Sequence, residues 1–230
     1  MALEGTCASG GHLRPREIAP QNRRLDHGLP ERIFPWERVP ELSIILPVRD
    51  QENDVASLVR AAVRVEEHVD ARGEPVATEI LALDERSGDN TLSVLSVLHG
   101  QIANLRTLQD VEPGSSIRRA AKVARGDVWL VLDHAIDADL AGWAVTQVLR
   151  GQRAAFVPGE LLALDRDLGR QLLKHAGGLV SAQNRLRKYL KTRNEPAAFS
   201  PAPDGSPKAR AKRLLRGGLG RLGLGRFDKP

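Results

Sequence analysis

Short apolar runs that stop at a carboxylate, separated by stretches with helical period, set the strongest constraint on this chain of 230 residues. Ser43-Ile44-Ile45-Leu46 is an apolar run halted by Pro47 and reads as a buried strand. Glu52 to Val69 follows, with Val55, Leu58, Val59, Ala62, Val63 and Val65 at the spacing of an amphipathic helix. Ile80 to Leu83 is a second strand, closed by Asp84. Thr91 to His99 reads as a helix, Leu105 to Leu108 as a short strand and Gly114 to Ala124 as a helix. Val128 to Leu132 is a further strand that ends at Asp133, and Ala138 to Leu149 is helical. Ala154 to Val157 reads as a strand and Asp165 to His175 as a helix.

Strands alternating with helices of this length require crossover connections, so the expected fold is α/β with a mainly parallel central sheet flanked by helices. Such sheets bind ligands at the carboxyl ends of their strands, near the point where strand order reverses. Three strands here run into acidic turns: Pro47 to Glu52, Asp84 to Asp89 and Asp133 to Asp139. One solvated carboxylate after a strand is ordinary. Three such turns on one sheet edge are what a metal–diphosphate site requires. The expectation is therefore that Glu52, Asp84 and Asp133 share a rim.

The ends of the chain differ from this middle. Residues 1–40 mix Arg, Glu, Pro and Gly without period and are expected to be a disordered leader. Residues 41–192 form the expected domain, and residues 193–230 a linker and basic tail. The net charge of +5 is concentrated in that tail, because Lys208 to Lys229 hold eight Lys or Arg and one Asp. The basic pI is accordingly weak support for nucleic-acid binding by the domain, and no specific nucleic acid is expected. Leucines among the tail's arginines suit peripheral contact of residues 208–229 with an anionic membrane. A lone Cys7 makes no internal disulfide. No apolar stretch approaches the ~20 residues of a spanning helix. A cytoplasmic protein, peripheral at the inner membrane surface, is the expectation.

Three segments occur in order: Leu42 to Glu52, Ile80 to Thr91 and Gly126 to Asp133. Together they resemble the GT-A fold of family-2 glycosyltransferases. That family's first segment is an apolar strand, Pro, a small residue, an aromatic, Asn and an acidic pair. Pro47 and Glu52 match it, with Arg49 in place of the aromatic and Asp50 in place of Asn. Its second segment reads Asp-Asp-Gly-Ser-x-Asp-x-Thr. Asp84, Ser87, Asp89 and Thr91 match, with Glu85 for the second Asp and Arg86 for Gly. The third delivers a metal-binding Asp-x-Asp. The resemblance implies transfer of a sugar, with inversion, from a nucleotide-diphosphate donor. It gives Pro47, Glu52, Asp84 and Glu85 to the nucleoside, and Asp133 to a divalent metal, Mg²⁺ or Mn²⁺. Such hard ions prefer carboxylate oxygens and act as Lewis acids on the leaving phosphate. Arg118 and Arg119 open a helix and suit phosphate oxygens; a solvated helix face is their ordinary alternative.

The pattern breaks at the metal. Asp133-His134-Ala135 occupies the Asp-x-Asp position, so its second Asp is Ala, while Asp137-Ala138-Asp139 spells the motif four residues late. Three outcomes stay open: Asp133 and Asp137 bind metal together, His134 adds a nitrogen ligand, or the metal site is lost. The acceptor half is short. Asp165 and Asp167 fit the first turn of a helix, where carboxylates favour the dipole, better than a catalytic base, so no catalytic residue is assigned. The compactness resembles polyprenyl-phosphate glycosyltransferases, without a counterpart to their arginine-bearing acceptor loop. The alternative function is a degenerate, non-catalytic GT-A domain acting as a binding or scaffold module. A Rossmann-like protein for another nucleotide has no Gly-x-Gly-x-x-Gly or Walker motif behind it.

Overall fold

The structure, a computed structural model, describes residues 39–70 and 76–200. The expectations for the leader up to residue 38 and for the basic segment 208–229 lie outside the described residues. The elements run β1 (Leu42–Val48), α1 (Val55–Asp70), β2 (Thr78–Asp84), α2 (Thr91–His99), β3 (Leu105–Leu108), α3 (Ser116–Val123), β4 (Val128–Leu132) and α4 (Ala138–Leu149). They continue with β5 (Ala154–Val157), β6 (Leu161–Asp165), α5 (Arg166–Leu172), α6 (Leu179–Arg193) and β7 (Ala197–Phe199).

Among the described residues the strands form one sheet in the order β3-β2-β1-β4-β6-β5-β7. The pairs β1–β2, β1–β4 and β2–β3 are parallel, as is β5–β7. The short β6 runs antiparallel to both β4 and β5. Period-two alternation divides the strand residues between two buried faces. Leu42, Ile44 and Leu46 of β1, with Ile80, Ala82, Leu130 and Leu132, pack under α1, α2 and α4. Ile45, Leu81, Leu83, Trp129 and Val131 pack under α3, α5 and α6. Burial on both faces explains why these strands read as continuous apolar runs rather than as alternating ones.

The amino-terminal ends of the central strands are held by a buried polar network. Ser43 Oγ donates to Glu79 Oε1 at 2.7 Å, and Arg106 Nη1 meets Glu79 Oε2 at 2.6 Å. The Arg125 N–H donates to Glu79 Oε1, and Gly126 N–H to Ser43 Oγ. Burial alone would raise the Glu79 carboxyl. Hydrogen bonds from Ser43, the Arg125 N–H and Arg106, with the Arg125 charge, outweigh burial and hold it below its ordinary 4.5. Gly126 is required for this approach, since a Cβ there would lie 2.5 Å from the Ser43 nitrogen.

Three differences from the sequence reading have physical causes. Pro47 does not halt β1, which continues to Val48. The β1–β4 ladder has already ended at Ile45, so beyond that point a proline disturbs only the edge of the pairing. Leu161 to Leu164, assigned no element from sequence, forms β6 between β4 and β5. The segment expected as a linker from residue 193 instead begins with the end of α6 and the edge strand β7. α6 carries a stripe at Leu179, Ala182, Leu186 and Leu190, all buried, which the five basic residues of the same helix obscure in composition. β7 is Ala-Ala-Phe, a poor strand former by propensity, and is ordered by pairing with β5.

Candidate functional site

β2, β1 and β4 are adjacent and parallel, so Asp84, the Arg49–Glu52 loop and Asp133 all leave the sheet at its carboxyl edge. β1 connects to β2 on one side while β4 lies on the other. The crevice between the ends of β1 and β4 is thus the point where strand order reverses, the place at which such sheets bind ligands. The antiparallel β6 begins at this same edge, with Leu161 opposite Leu132, and brings the β5–β6 turn to it.

The loops after β1 and β2 are clasped together. Asp50 N–H donates to Ser87 Oγ, and Gly88 N–H donates to Asp50 Oδ1 at 2.7 Å. Gln51 N–H donates to Thr91 Oγ1, Glu52 N–H to Asp89 Oδ2, and Asn90 N–H to Glu52 Oε2. Asp50 and Arg86 both adopt positive φ, 49° and 55°, to make these turns. Burial pushes the Asp89 carboxyl up, but the Thr91 hydroxyl and the N–H groups of Glu52 and Thr91 pull it further down, to below its ordinary 3.8. Glu52 is therefore part of the clasp.

Asp84 ends β2 with no exposed surface. Its Oδ2 accepts from Ser87 N–H at 3.2 Å, while Oδ1 is buried with no hydrogen-bond partner. Glu85 turns toward α3 and accepts from the N–H groups of Gly114 and Ser116, at 2.9 and 3.0 Å. It thereby satisfies the unpaired donors and dipole at the start of that helix. Arg118 is half-exposed on α3, 4.0 Å from Glu112, with no contact to Asp84 or Glu85.

At the end of β4 the imidazole of His134 lies between two carboxylates. Nδ1 donates to Asp133 Oδ1 and Nε2 to Glu160 Oε2, each at 2.6 Å. The hydrogen bond to Asp133, then that to Glu160, with the charges of both, outweigh burial and push His134 up to about 9. Glu160 sits in the β5–β6 turn, which Gln183 of α6 fixes. Its Nε2 donates to the carbonyls of Val157 and Leu161, and its Oε1 accepts from Gly159 N–H. Asp137 is the N-cap of α4 and accepts from the N–H groups of Asp139 and Leu140. Asp165 likewise caps α5, accepting from Leu168 N–H, which agrees with the helix-start reading.

No protein-family model matches the chain, and no curated protein matches its sequence. Solved structures do match. The mannosyltransferase PcManGT from Pyrobaculum calidifontis, in complex with GDP-Man and Mn²⁺, superposes with a TM-score of 0.60 at 14% identity. The match covers 84% of this chain and 66% of that one, so this chain spans just under two thirds of that protein's length. Weaker matches are S. aureus TarS 1-349 in complex with UDP (TM-score 0.48, 14% identity, 81% and 67% covered) and mannosyl-3-phosphoglycerate synthase from Rubrobacter xylanophilus (0.46, 16%, 83% and 78%). The fold is GT-A.

The GT-A domain departs from the expected metal centre. No group of three or more His, Cys, Asp or Glu among the described residues is placed to hold a metal ion. Ala135 removes the second carboxylate of the motif, and Asp137 caps a helix. Asp133 binds an imidazole that itself competes for carboxylate oxygens. One oxygen of each of Asp133 and Asp137 is thus engaged within the protein, by His134 and by the start of α4. Glu160 had no role in the sequence reading. Pro158-Gly159 between two apolar runs is the signal of a hairpin turn that would have placed it at this edge.

Proposed function

We propose that this GT-A domain binds a nucleotide-diphosphate sugar at the carboxyl edge of β1, β2 and β4, and transfers the sugar with inversion. The observation that carries this reading is the clasp of the β1 and β2 loops beside Asp84, at the carboxyl edge next to the switch point of the sheet. A buried carboxylate oxygen without a partner costs about 1–3 kcal/mol, and the Oδ1 of Asp84 is such an oxygen. An N–H donor of a nucleobase reaching it through the loops would satisfy it. Pro47 and Glu52 frame the same turn. In this reading Glu85 acts indirectly, by fixing the start of α3, and Arg118 and Arg119 supply positive charge from that helix toward the diphosphate.

In an inverting transfer the acceptor oxygen attacks the anomeric carbon as its bond to the phosphate oxygen breaks; the nucleoside diphosphate leaves with the electron pair, and the proton of an acceptor hydroxyl passes to solvent water. The protein's tasks are to orient the donor and to meet the charge on the leaving group. The residue roles in this reading are those of binding and orienting the donor, and no step is assigned through Asp133 or Asp137. Titration calorimetry with UDP and with GDP tests the proposal. Micromolar binding of either supports it, and absence of binding for both, with and without Mn²⁺, refutes it.

The engagement of Asp133 by His134 and of Asp137 by a helix cap favours a second reading, a non-catalytic binding module. Nucleotide binding without donor turnover is its signature. Glycosyl transfer or donor hydrolysis above background, abolished in Asp133→Ala, would exclude it.

A further inference from the structure

Charge on this chain is segregated. Residues 1–165 carry eighteen Lys or Arg against twenty-five Asp or Glu, a net of −7, whereas residues 166–193 carry eight against one, a net of +7. Most of that positive charge lies on α6, which contains no Asp or Glu. Arg185, Arg187, Lys188, Lys191 and Arg193 are all exposed, while Leu179, Ala182, Leu186 and Leu190 face the core. No carboxylate of the described residues pairs with Arg185, Lys188 or Lys191.

An apolar element adjoins this face. Phe199 on the edge strand β7 is 58% exposed, a high value for so large a ring. It packs edge-on against Phe156, with centroids 5.5 Å apart, and the Arg187 guanidinium stands 5.0 Å over that same Phe156 ring. Arg187 thus lays its aliphatic stem along an aromatic pair and keeps its charge in water. Past Ser200 the sequence continues into a segment where Leu214, Leu215, Leu219, Leu222 and Leu224 lie among Lys, Arg and Gly.

We propose that the exposed face of α6, together with Phe199, docks the protein onto an anionic phospholipid bilayer. Basic side chains gain from the negative surface potential of such a bilayer, and a single aromatic ring enters the headgroup boundary. Residues 1–165, with their net charge of −7, are repelled by the same surface, so the charge asymmetry favours the α6 side facing it. Single-stranded nucleic acid is the poorer fit, because binding it depends on several aromatic platforms for successive bases, and this face exposes one ring.

The test is co-sedimentation of the full chain with vesicles of phosphatidylcholine alone or containing about a third phosphatidylglycerol. Binding is expected only with phosphatidylglycerol, and is expected to weaken as salt rises from about 0.1 M to about 0.5 M. The triple variant Arg185→Gln, Lys188→Gln, Lys191→Gln leaves the basic tail intact. It should lower the vesicle partition coefficient roughly a hundred-fold, from about five-fold per charge, with an unchanged circular dichroism spectrum. The charge-conserving triple Arg185→Lys, Lys188→Arg, Lys191→Arg should bind like the wild type, which separates loss of charge from loss of fold. Equal partition of the neutral triple and the wild type overturns the proposal. So does tighter binding to single-stranded poly(U) than to the anionic vesicles.

Discussion

Replacing His134 with Gln should produce a stability loss whose size depends on pH in a defined direction. The imidazole is raised from 6.5 to about 9 by Asp133 and Glu160. At roughly 1.4 kcal/mol per pH unit, that rise corresponds to about 3 kcal/mol. The Asp133 side chain is 41% exposed, so solvent screening reduces its share, and about 2 kcal/mol is the working figure. Below about pH 6.5 the ring is protonated in both folded and unfolded chains, and the full stabilisation is present. Between about pH 6.5 and 9 the unfolded ring releases its proton while the folded ring keeps it, so the contribution declines; above about pH 9 it is gone. Urea denaturation of the wild type and His134→Gln, compared from about pH 6 to about pH 10, reads the difference directly. The gap between them should be widest at the acid end and narrow steadily through pH 9. A gap that stays constant over this range would refute the assignment of a charged imidazole between the two carboxylates.

Further expectations concern the rest of the fold. Glu79→Ala leaves Arg106, the Arg125 N–H and Ser43 without their acceptor and should cost about 3 kcal/mol in chemical denaturation. Because the Glu79 carboxyl is depressed, its stabilisation is present above its ordinary 4.5 and is lost as pH falls through its folded value, so Glu79→Gln should flatten the acid limb of the stability profile. Gly169→Ala would place a Cβ 2.3 Å from Cε3 of the fully buried Trp129. It should cost about 1–3 kcal/mol, read as a lower Tm with altered tryptophan fluorescence. Asp84→Ala should weaken whichever of UDP or GDP the protein binds by about ten-fold or more, equivalent to roughly 1.4 kcal/mol, measured by calorimetry.

β2 and β4 were legible because they are buried on both faces and run into carboxylates. Ile80 to Asp84 and Val128 to Asp133 illustrate this: each apolar run and its terminal acid is visible without any knowledge of pairing. The antiparallel addition was harder to see. Leu161 to Leu164 is a four-residue apolar run that periodicity cannot assign to helix or strand, and β7 exists only because β5 offers an edge. The candidate site was legible at the level of placement and not of partnership. Glu52, Glu85 and Asp137 do lie in the turns expected to carry function, yet each carboxylate is engaged by backbone N–H groups within the fold. A sequence marks an acid after a strand in the same way whether it meets a ligand or a helix terminus. Glu160 escaped notice because its partner, His134, is 26 residues away and meets it only across the β4–β6 pairing.

The interlocked turns after β1 and β2 limit how this protein can be redesigned. Their contacts run between residues 50–52 and 87–91, so neither segment has a self-contained shape that could be grafted alone. Swapping one turn for a version from another protein would strand the donors and acceptors of its counterpart. Changes of specificity at this edge are therefore expected to succeed only when both segments are exchanged as a matched pair.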